Sequence, residues 1–125
     1  MNISKILLVD DDHNIRLIAQ IGLEDTPDWS VVTAASGQEC IDLATSEKPD
    51  LILLDVMMPG MDGKTTFTKL KESNDTADIP VIFMTAKVQA HEMEAYVSMG
   101  ATGVITKPFD PITLSSDIKR LLGSR

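Results

Sequence analysis

The sequence predicts one α/β domain, a doubly wound, five-stranded parallel sheet with helices on both faces. Short runs of Ile, Leu and Val alternate five times with longer segments of helical spacing, which is the pattern of successive βαβ crossovers. The apolar runs are nearly continuous rather than alternating with polar residues, as expected for strands that are buried on both sides. With 125 residues, 43% of them hydrophobic, the chain is long enough for one ordinary core and too short for two domains of typical size.

Turn formers and capping residues divide the chain into five strand–helix units. The predicted strands cover residues 5–9, 30–35, 51–54, 80–84 and 103–106, and the helices cover about 13–24, 36–47, 63–72, 90–99 and 111–122. The first helix is indicated by apolar residues at helical spacing: Ile15, Leu17, Ile18, Ile21 and Gly22. The second opens on a capping box of Ser36 and Glu39 and is expected to bury Cys40, Ile41 and Ala44. The last has Asp110 as its predicted N-cap and Pro111 at its first position.

Composition excludes several classes of protein. The net charge of −8 gives a surface that repels phosphates, so direct binding of DNA or RNA is not expected. The single cysteine, Cys40, excludes an intramolecular disulfide and a multi-cysteine zinc site. The chain has no apolar run that matches a signal-peptide core of ~7–15 residues or a membrane span of ~18. We expect a cytoplasmic protein with a buried, inert thiol, formed by a single domain over residues 1–125 without an output domain.

Polar side chains collect where the predicted strands end. The first strand leads into three consecutive aspartates, the third into another, the fourth into a threonine and the fifth into a lysine: Asp10, Asp11, Asp12, Asp55, Thr85 and Lys107. Ligands of open parallel sheets bind beyond the carboxyl ends of the strands, at the point where the strand order reverses. This edge of the sheet is therefore the expected site.

Each of these residues also has a simpler structural explanation. Asp12 fits a helix N-cap, Thr85 a hydroxyl bonded to nearby backbone, and Lys107 a solvated surface lysine. The other two aspartates of the first run cannot both be caps, and facing Asp55 they would repel one another. A divalent cation with hard oxygen ligands removes that repulsion, so the three carboxylates predict a magnesium site. A lysine opposite them is a natural ligand for a phosphoryl oxygen.

Taken together, these motifs resemble the two-component response regulator receiver domain over essentially the whole chain, in particular a stand-alone receiver of the chemotaxis or sporulation type. The resemblance rests on Asp10 and Asp11 after ILLV, Asp55 within LLDVMMPGMDG, Thr85 before alanine, and Lys107 before Pro-Phe. The order and spacing of the four motifs fit as well. The family implies the flavodoxin-like strand order 2-1-3-4-5.

The resemblance also implies a role for each site residue. Asp55 is the phosphoryl acceptor, while Lys107 and Thr85 each hold a phosphoryl oxygen. Mg²⁺ is bound by Asp11, Asp55 and the backbone carbonyl of Met57, with Asp10 reaching it through water. The phosphoryl donor is a phosphohistidine of a sensor histidine kinase or a histidine phosphotransfer protein. The protein is then a signalling protein that promotes its own phosphoryl transfer and slow autodephosphorylation, rather than a metabolic enzyme.

Further expectations concern how the signal leaves the domain and how long the phosphorylated state lasts. Receivers often carry Tyr or Phe three residues before the lysine, where this chain has Val104, so Thr85 is expected to carry the switch. The family implies a downstream target that binds the surface of the fourth helix, fifth strand and fifth helix, and a cis peptide bond between Lys107 and Pro108. The water that hydrolyses the aspartyl phosphate would be flanked by Met57 and Lys87. His13 and His91 are expected to be solvated and to take no part.

The same residues allow three other interpretations, and the sequence opposes each of them. A phosphohydrolase of the dehalogenase type needs a second aspartate two positions after its nucleophile, where this chain has Met57. A flavin carrier needs a Ser/Thr/Gly-rich phosphate loop after the first strand, and three aspartates there repel phosphate. A pseudo-receiver that acts only as a scaffold is opposed by the presence of every pocket residue.

Overall fold

Five strands and five helices alternate along the chain in the computed structural model, which describes residues 3–86 and 89–123. The strands are β1 (Lys5–Val9), β2 (Ser30–Ala34), β3 (Leu51–Asp55), β4 (Val81–Thr85) and β5 (Gly103–Thr106). The helices are α1 (His13–Glu24), α2 (Gly37–Glu47), α3 (Gly63–Glu72), α4 (Ala90–Ser98) and α5 (Leu114–Gly123). Each predicted element is present, and most of the bounds agree to within one residue.

All neighbouring strands pair in parallel, in the order β2-β1-β3-β4-β5. The strand order reverses between β1 and β3, where Val9 pairs with Leu54. β3 and β4 extend one residue beyond their predicted ends, so Asp55 and Thr85 are the last residues of their strands. The carboxyl ends of the three central strands therefore lie side by side at the reversal point.

The sheet separates two apolar cores. Alternate residues of the central strands face opposite sides: Leu7, Ile52, Leu54 and Phe83 belong to the core under α2, α3 and α4, whereas Ile6, Leu8, Leu53 and Ile82 belong to the core under α1 and α5. All of these side chains are fully buried. This confirms that the continuous apolar runs are strands covered on both faces. Complete burial of such side chains stabilises the fold by ~1.5–3 kcal/mol each.

The buried face of α1 is not the one that the larger apolar residues suggest. Its buried residues are Ala19, Gly22 and Leu23, whereas Leu17, Ile18 and Ile21 are 49%, 44% and 64% exposed. The reason is close packing against the turn before α5. A Cβ atom at Gly22 would lie 2.5 Å from the carbonyl oxygen of Pro111, so only glycine permits this approach. The helix therefore presents an apolar surface to solvent.

The predicted start of α5 is wrong by about one turn. Asp110 does not cap the helix. Its carboxylate accepts the Ile112 N–H at 2.9 Å and its carbonyl accepts the Thr113 N–H at 3.1 Å. These bonds close a separate turn before the helix begins at Leu114. An aspartate side chain that bonds the backbone two residues on favours such a turn over a cap.

The predicted N-caps Asp12 and Ser36 are confirmed. Asp12 is the N-cap of α1 and accepts the N–H groups of Asn14 and Ile15. The Ser36 hydroxyl accepts the Glu39 N–H at 3.1 Å. The Glu39 carboxylate accepts the N–H of Ala35 at 2.6 Å rather than that of Ser36, so the second bond of the predicted capping box is shifted by one residue. None of the helices in the described part of the chain is long and apolar enough to cross a membrane.

Candidate functional site

The site is formed where four strands end. Asp10 directly follows β1, Asp55 ends β3, Thr85 ends β4 and Lys107 directly follows β5. Because neighbouring strands are parallel and in register, these four residues converge on one edge of the sheet, as the sequence predicts. The Lys107 N–H bonds to the Thr85 carbonyl at 2.9 Å, which joins the chain after β5 to the end of β4.

Asp10 is completely buried, and both of its carboxylate oxygens are bonded. Oδ1 accepts the Asp12 N–H at 2.9 Å, and Oδ2 accepts the ammonium of Lys107 at 2.6 Å. The backbone N–H of Asp10 bonds to the Ala34 carbonyl at 3.1 Å. A buried carboxylate with these partners has a fixed position.

Asp55 is 3% exposed and lies beside the same lysine. Its Oδ1 accepts the Lys107 ammonium at 3.0 Å and, at 3.4 Å, the backbone N–H of Met57. Lys107 thus bridges two buried carboxylates. The sequence predicts a lysine opposite the acidic residues, and the structure confirms that arrangement.

The third carboxylate completes a cluster of oxygen donors. Oxygens of Asp10, Asp11 and Asp55 lie within 4.8 Å of one another. Asp11 is exposed on the solvent side, while the other two are buried. Three carboxylates that face one point are a donor set that suits a hard divalent cation such as Mg²⁺, so the residues present fit the metal that the sequence predicts.

Burial and the neighbouring Lys107 shift the pKa of Asp55 in opposite directions. The pKa of Asp55 is raised to about 6, by burial first and then by the charge of Asp10, against the hydrogen bond and charge of Lys107, which lower it. Burial alone would lower the pKa of Lys107. Its bonds to Asp10 and Asp55 outweigh that effect and raise the pKa above its ordinary value, so the ammonium stays charged beside the carboxylates.

An open cavity of about 320 Å³ connects these groups to solvent. Its lining comprises the aspartates, the lysine, two apolar side chains and the residue after β4: Asp10, Asp11, Asp12, Ile15, Asp55, Met57, Ala86 and Lys107. A larger cavity of about 620 Å³ lies at the opposite end of the sheet, beside Trp29 and Lys119. The carboxylate cluster lies in the smaller cavity, which is therefore the candidate functional site.

The remaining predicted residues have the following positions. Thr85 is buried at the end of β4, and Met57 lines the cavity with its side chain 64% exposed. Val104 is half-buried against the core. The prediction that His13 and His91 face solvent is confirmed. Lys87 lies outside the described residues.

Burial of Cys40 is also confirmed. Its thiol is completely buried, and burial raises the pKa of the thiol to about 12. The peptide bond between Lys107 and Pro108 is cis, as the family resemblance implies.

Sequence reasoning missed one residue of the site. Arg16, one turn into α1, donates from Nη1 to the carbonyl oxygen of Asp10 at 2.7 Å. The sequence signal for this residue is an arginine in the first turns of a helix that follows an acidic run. It does not reveal that the guanidinium bonds to backbone rather than to a carboxylate.

Comparison with known proteins places the chain in a family. The family model for the response regulator receiver domain matches residues 6–119. The alkaline phosphatase synthesis transcriptional regulatory protein PhoP of Bacillus subtilis is 36% identical over 94% of this chain and 48% of its own length. The response regulator PleD of Caulobacter vibrioides is 39% identical over 94% of this chain and 26% of its own length. The chain thus spans about half or less of these relatives.

Solved structures agree with this match. Chemotaxis response regulator CheY4 of Vibrio cholerae superposes with a TM-score of 0.87 at 31% identity, covering 96% of this chain and 99% of that one. The receiver domain of a Syntrophus aciditrophicus histidine kinase superposes with a TM-score of 0.81 at 33% identity, covering 97% and 91%. The chain belongs to the receiver domains of two-component response regulators. Receiver domains bind Mg²⁺ at an acidic site and interact with sensor histidine kinases and downstream targets.

Proposed function

We propose that the chain accepts a phosphoryl group on Asp55 from a phosphohistidine of a sensor histidine kinase or a histidine phosphotransfer protein, in a Mg²⁺-dependent reaction. One observation carries the proposal. The carboxylate of Asp55 lies in an open cavity, 3.0 Å from the Lys107 ammonium, with the oxygens of two further aspartates within 4.8 Å. This arrangement provides a nucleophile, a lysine ammonium beside it and carboxylate oxygens that suit a divalent metal.

In the transfer, a carboxylate oxygen of Asp55 attacks phosphorus. A new O–P bond forms, the P–N bond to the donor histidine breaks, and the imidazole nitrogen keeps the electron pair. Such transfers depend mainly on in-line positioning and on neutralisation of phosphoryl charge. Asp10, Asp11, Asp55 and the backbone carbonyl of Met57 would hold Mg²⁺, which would neutralise part of the phosphoryl charge.

Lys107 supplies the remaining neutralisation of phosphoryl charge. Its ammonium already lies 2.6 Å from Asp10 and 3.0 Å from Asp55, so a phosphoryl group on Asp55 brings an oxygen within its reach. The hydroxyl of Thr85, at the end of the adjacent strand, donates to another phosphoryl oxygen and transmits the change to the chain after β4.

The exposed apolar surface of α1 is where we place the donor protein. Ile15 lines the cavity, and Ile18 and Ile21 continue the same helix away from it with large exposed fractions. Contiguous exposed apolar side chains indicate an interaction surface. A partner that docks there extends directly to the mouth of the cavity that holds Asp55.

The downstream target is assigned to a second surface, formed by α4, β5 and α5. α4 carries the half-buried Met93 and the exposed Val97 beside a shallow cavity of about 410 Å³. α4 begins shortly after the end of β4, where Thr85 lies, so a change at Thr85 reaches this surface over a short distance.

The test uses acetyl phosphate as a small donor. We expect intact-mass spectrometry to show one added phosphoryl group in the presence of Mg²⁺, and none with excess EDTA or in Asp55→Asn. Equal labelling with EDTA, or of Asp55→Asn, overturns the assignment. No labelling of the parent favours the pseudo-receiver, and rapid multiple turnover of phosphate esters favours the phosphohydrolase.

A further inference from the structure

The side chain of Arg16 contacts the backbone of the candidate site. Nη1 of Arg16 donates to the Asp10 carbonyl at 2.7 Å, and the Arg16 N–H bonds to the Asp12 carbonyl at 3.0 Å. We propose that Arg16 is a positioning residue, which fixes the peptide between Asp10 and Asp11 and thereby keeps the Asp11 carboxylate turned toward the other two. The inference rests on the proposed function and adds a residue to it.

The carbonyl of Asp10 needs a donor because the chain leaves the sheet at this point. β1 ends at Val9, and the N–H of Asp10 is the group that still bonds to β2, at Ala34. Asp10 is completely buried, and a buried carbonyl without a partner is costly. Arg16 satisfies it with a charged N–H, which forms a stronger bond than a neutral donor.

The position of the Asp11 side chain depends on the bond from Arg16 more than the positions of Asp10 and Asp55 do. The carboxylates of Asp10 and Asp55 are both bonded to Lys107. Asp11 is exposed, and within residues 3–86 and 89–123 its side chain makes no hydrogen bond or ion pair. Its oxygen nevertheless lies within 4.8 Å of the other two carboxylates. The direction of this side chain is therefore set by the backbone around it.

That backbone is held on both sides of Asp11. On the far side, the Asp12 N–H donates to Asp10 Oδ1 at 2.9 Å, and Asp12 caps α1. On the near side, Arg16 holds the carbonyl of the peptide that joins Asp10 to Asp11. A change in the backbone dihedral angles that flank this peptide would change the direction of the Asp11 side chain, and the bond from Arg16 opposes such a change.

The expected consequence is a loss of metal affinity without loss of a ligand. Residues that orient metal ligands typically contribute 10–100-fold to affinity, so we expect Arg16→Met to weaken Mg²⁺ binding by about tenfold. Arg16→Lys should recover part of the loss, because an ammonium can bond the carbonyl but lacks the planar fork of the guanidinium. A residue needed only for stability would change the melting temperature and leave the affinity of the folded protein unchanged.

The experiment measures the Mg²⁺ dissociation constant by amide chemical shifts in the parent, Arg16→Met and Arg16→Lys. Gln20→Met is the matched control, since Gln20 lies one turn further along α1 and bonds to the remote Glu24. We expect the order of affinity to be parent, Arg16→Lys, then Arg16→Met, with the control equal to the parent. The Asp11 amide signal of metal-free Arg16→Met should also broaden or shift.

The outcomes separate the two proposals. If the parent itself does not bind Mg²⁺, the proposed function fails. If the parent binds Mg²⁺ and folded Arg16→Met binds it within twofold of the parent, Arg16 has no positioning role and the proposed function stands. A tenfold loss that Gln20→Met shares also overturns the inference, because it then reflects the helix rather than this bond.

Discussion

Asp55 is held in a state where protonation and folding are linked. Burial raises its pKa to about 6 despite the opposing hydrogen bond from Lys107. The folded protein therefore binds a proton more tightly at this position than the unfolded chain, whose Asp pKa is ~3.9. Between these two pKa values the contribution of Asp55 to the free energy of unfolding falls as pH rises, and above about 6 it stays at its lowest value.

The first prediction follows from this linkage. Asp55→Asn removes the group that titrates, so without Mg²⁺ the variant should be more stable than the parent at pH 7.5, by on the order of 2 kcal/mol. The difference in the free energy of unfolding between the two proteins should narrow as pH falls from 6 to 4. Urea unfolding of both proteins at several pH values measures it. A constant difference across that range would show that Asp55 has an ordinary pKa in the folded protein.

The second prediction concerns Met57, whose exposed side chain lines the cavity two residues after Asp55. A thioether is a weak hydrogen-bond acceptor and cannot orient an attacking water as an amide would. Met57→Asn should therefore speed autodephosphorylation several-fold at fixed Mg²⁺, which corresponds to ~1 kcal/mol of barrier. Decay is followed after rapid removal of the donor. Lys87→Ala should change the rate less.

A remote methionine provides the control for that experiment. Met99 is also exposed but caps the end of α4, away from the cavity, so Met99→Asn should leave the decay rate unchanged. If Met57→Asn decays at the parental rate or more slowly, this position does not control access of water to the aspartyl phosphate.

Secondary-structure elements were predictable to the extent that local chemistry defines them. The Asp12 and Ser36 caps depend on a few neighbouring residues, and both are confirmed. The start of α5 and the buried face of α1 were not predictable in this way. The buried face of α1 depends on the contact of Gly22 with Pro111, which is distant in sequence. The start of α5 depends on whether Asp110 caps the helix or closes a separate turn, and the same residue type favours both. Helical spacing alone does not show which of two faces a helix buries.

The exposed face of α1 leads to the third prediction. Ile18→Ser and Ile21→Ser should slow phosphotransfer from the cognate phosphohistidine protein, by about tenfold for the pair if each loses ~0.7 kcal/mol of apolar contact. Labelling by acetyl phosphate should not change, because that donor needs no docking surface. Val97→Ser on α4, also exposed, serves as the control. Equal slowing with both donors would mean that the substitutions disturb the site itself.

At the scale of the whole molecule, the order of the strands assembles the site. The acidic run, Asp55, Thr85 and Lys107 are far apart in sequence, and they meet because each ends or follows a parallel strand. The sequence was sufficient to predict that convergence. It was not sufficient to predict the partners within the site, such as the lysine shared by Asp10 and Asp55 or the bond from Arg16, because these depend on side-chain direction and depth.

The last prediction concerns the stability of the domain as a whole. Lys107 offsets only part of the charge of three clustered carboxylates, so the metal-free fold retains net repulsion at this edge. Mg²⁺ that binds only the folded state should raise the melting temperature, with ~2.7 kcal/mol of added stability at one hundred times its dissociation constant. Asp11→Asn should melt above the parent without Mg²⁺ and lose most of the response. The increase should be small, because Asp11 is exposed and solvent screens its charge. Thermal unfolding at pH 7.5, with K⁺ added to match ionic strength, provides the measurement. A parent melting temperature that does not depend on Mg²⁺ would mean that the carboxylate cluster does not bind the metal in the folded protein.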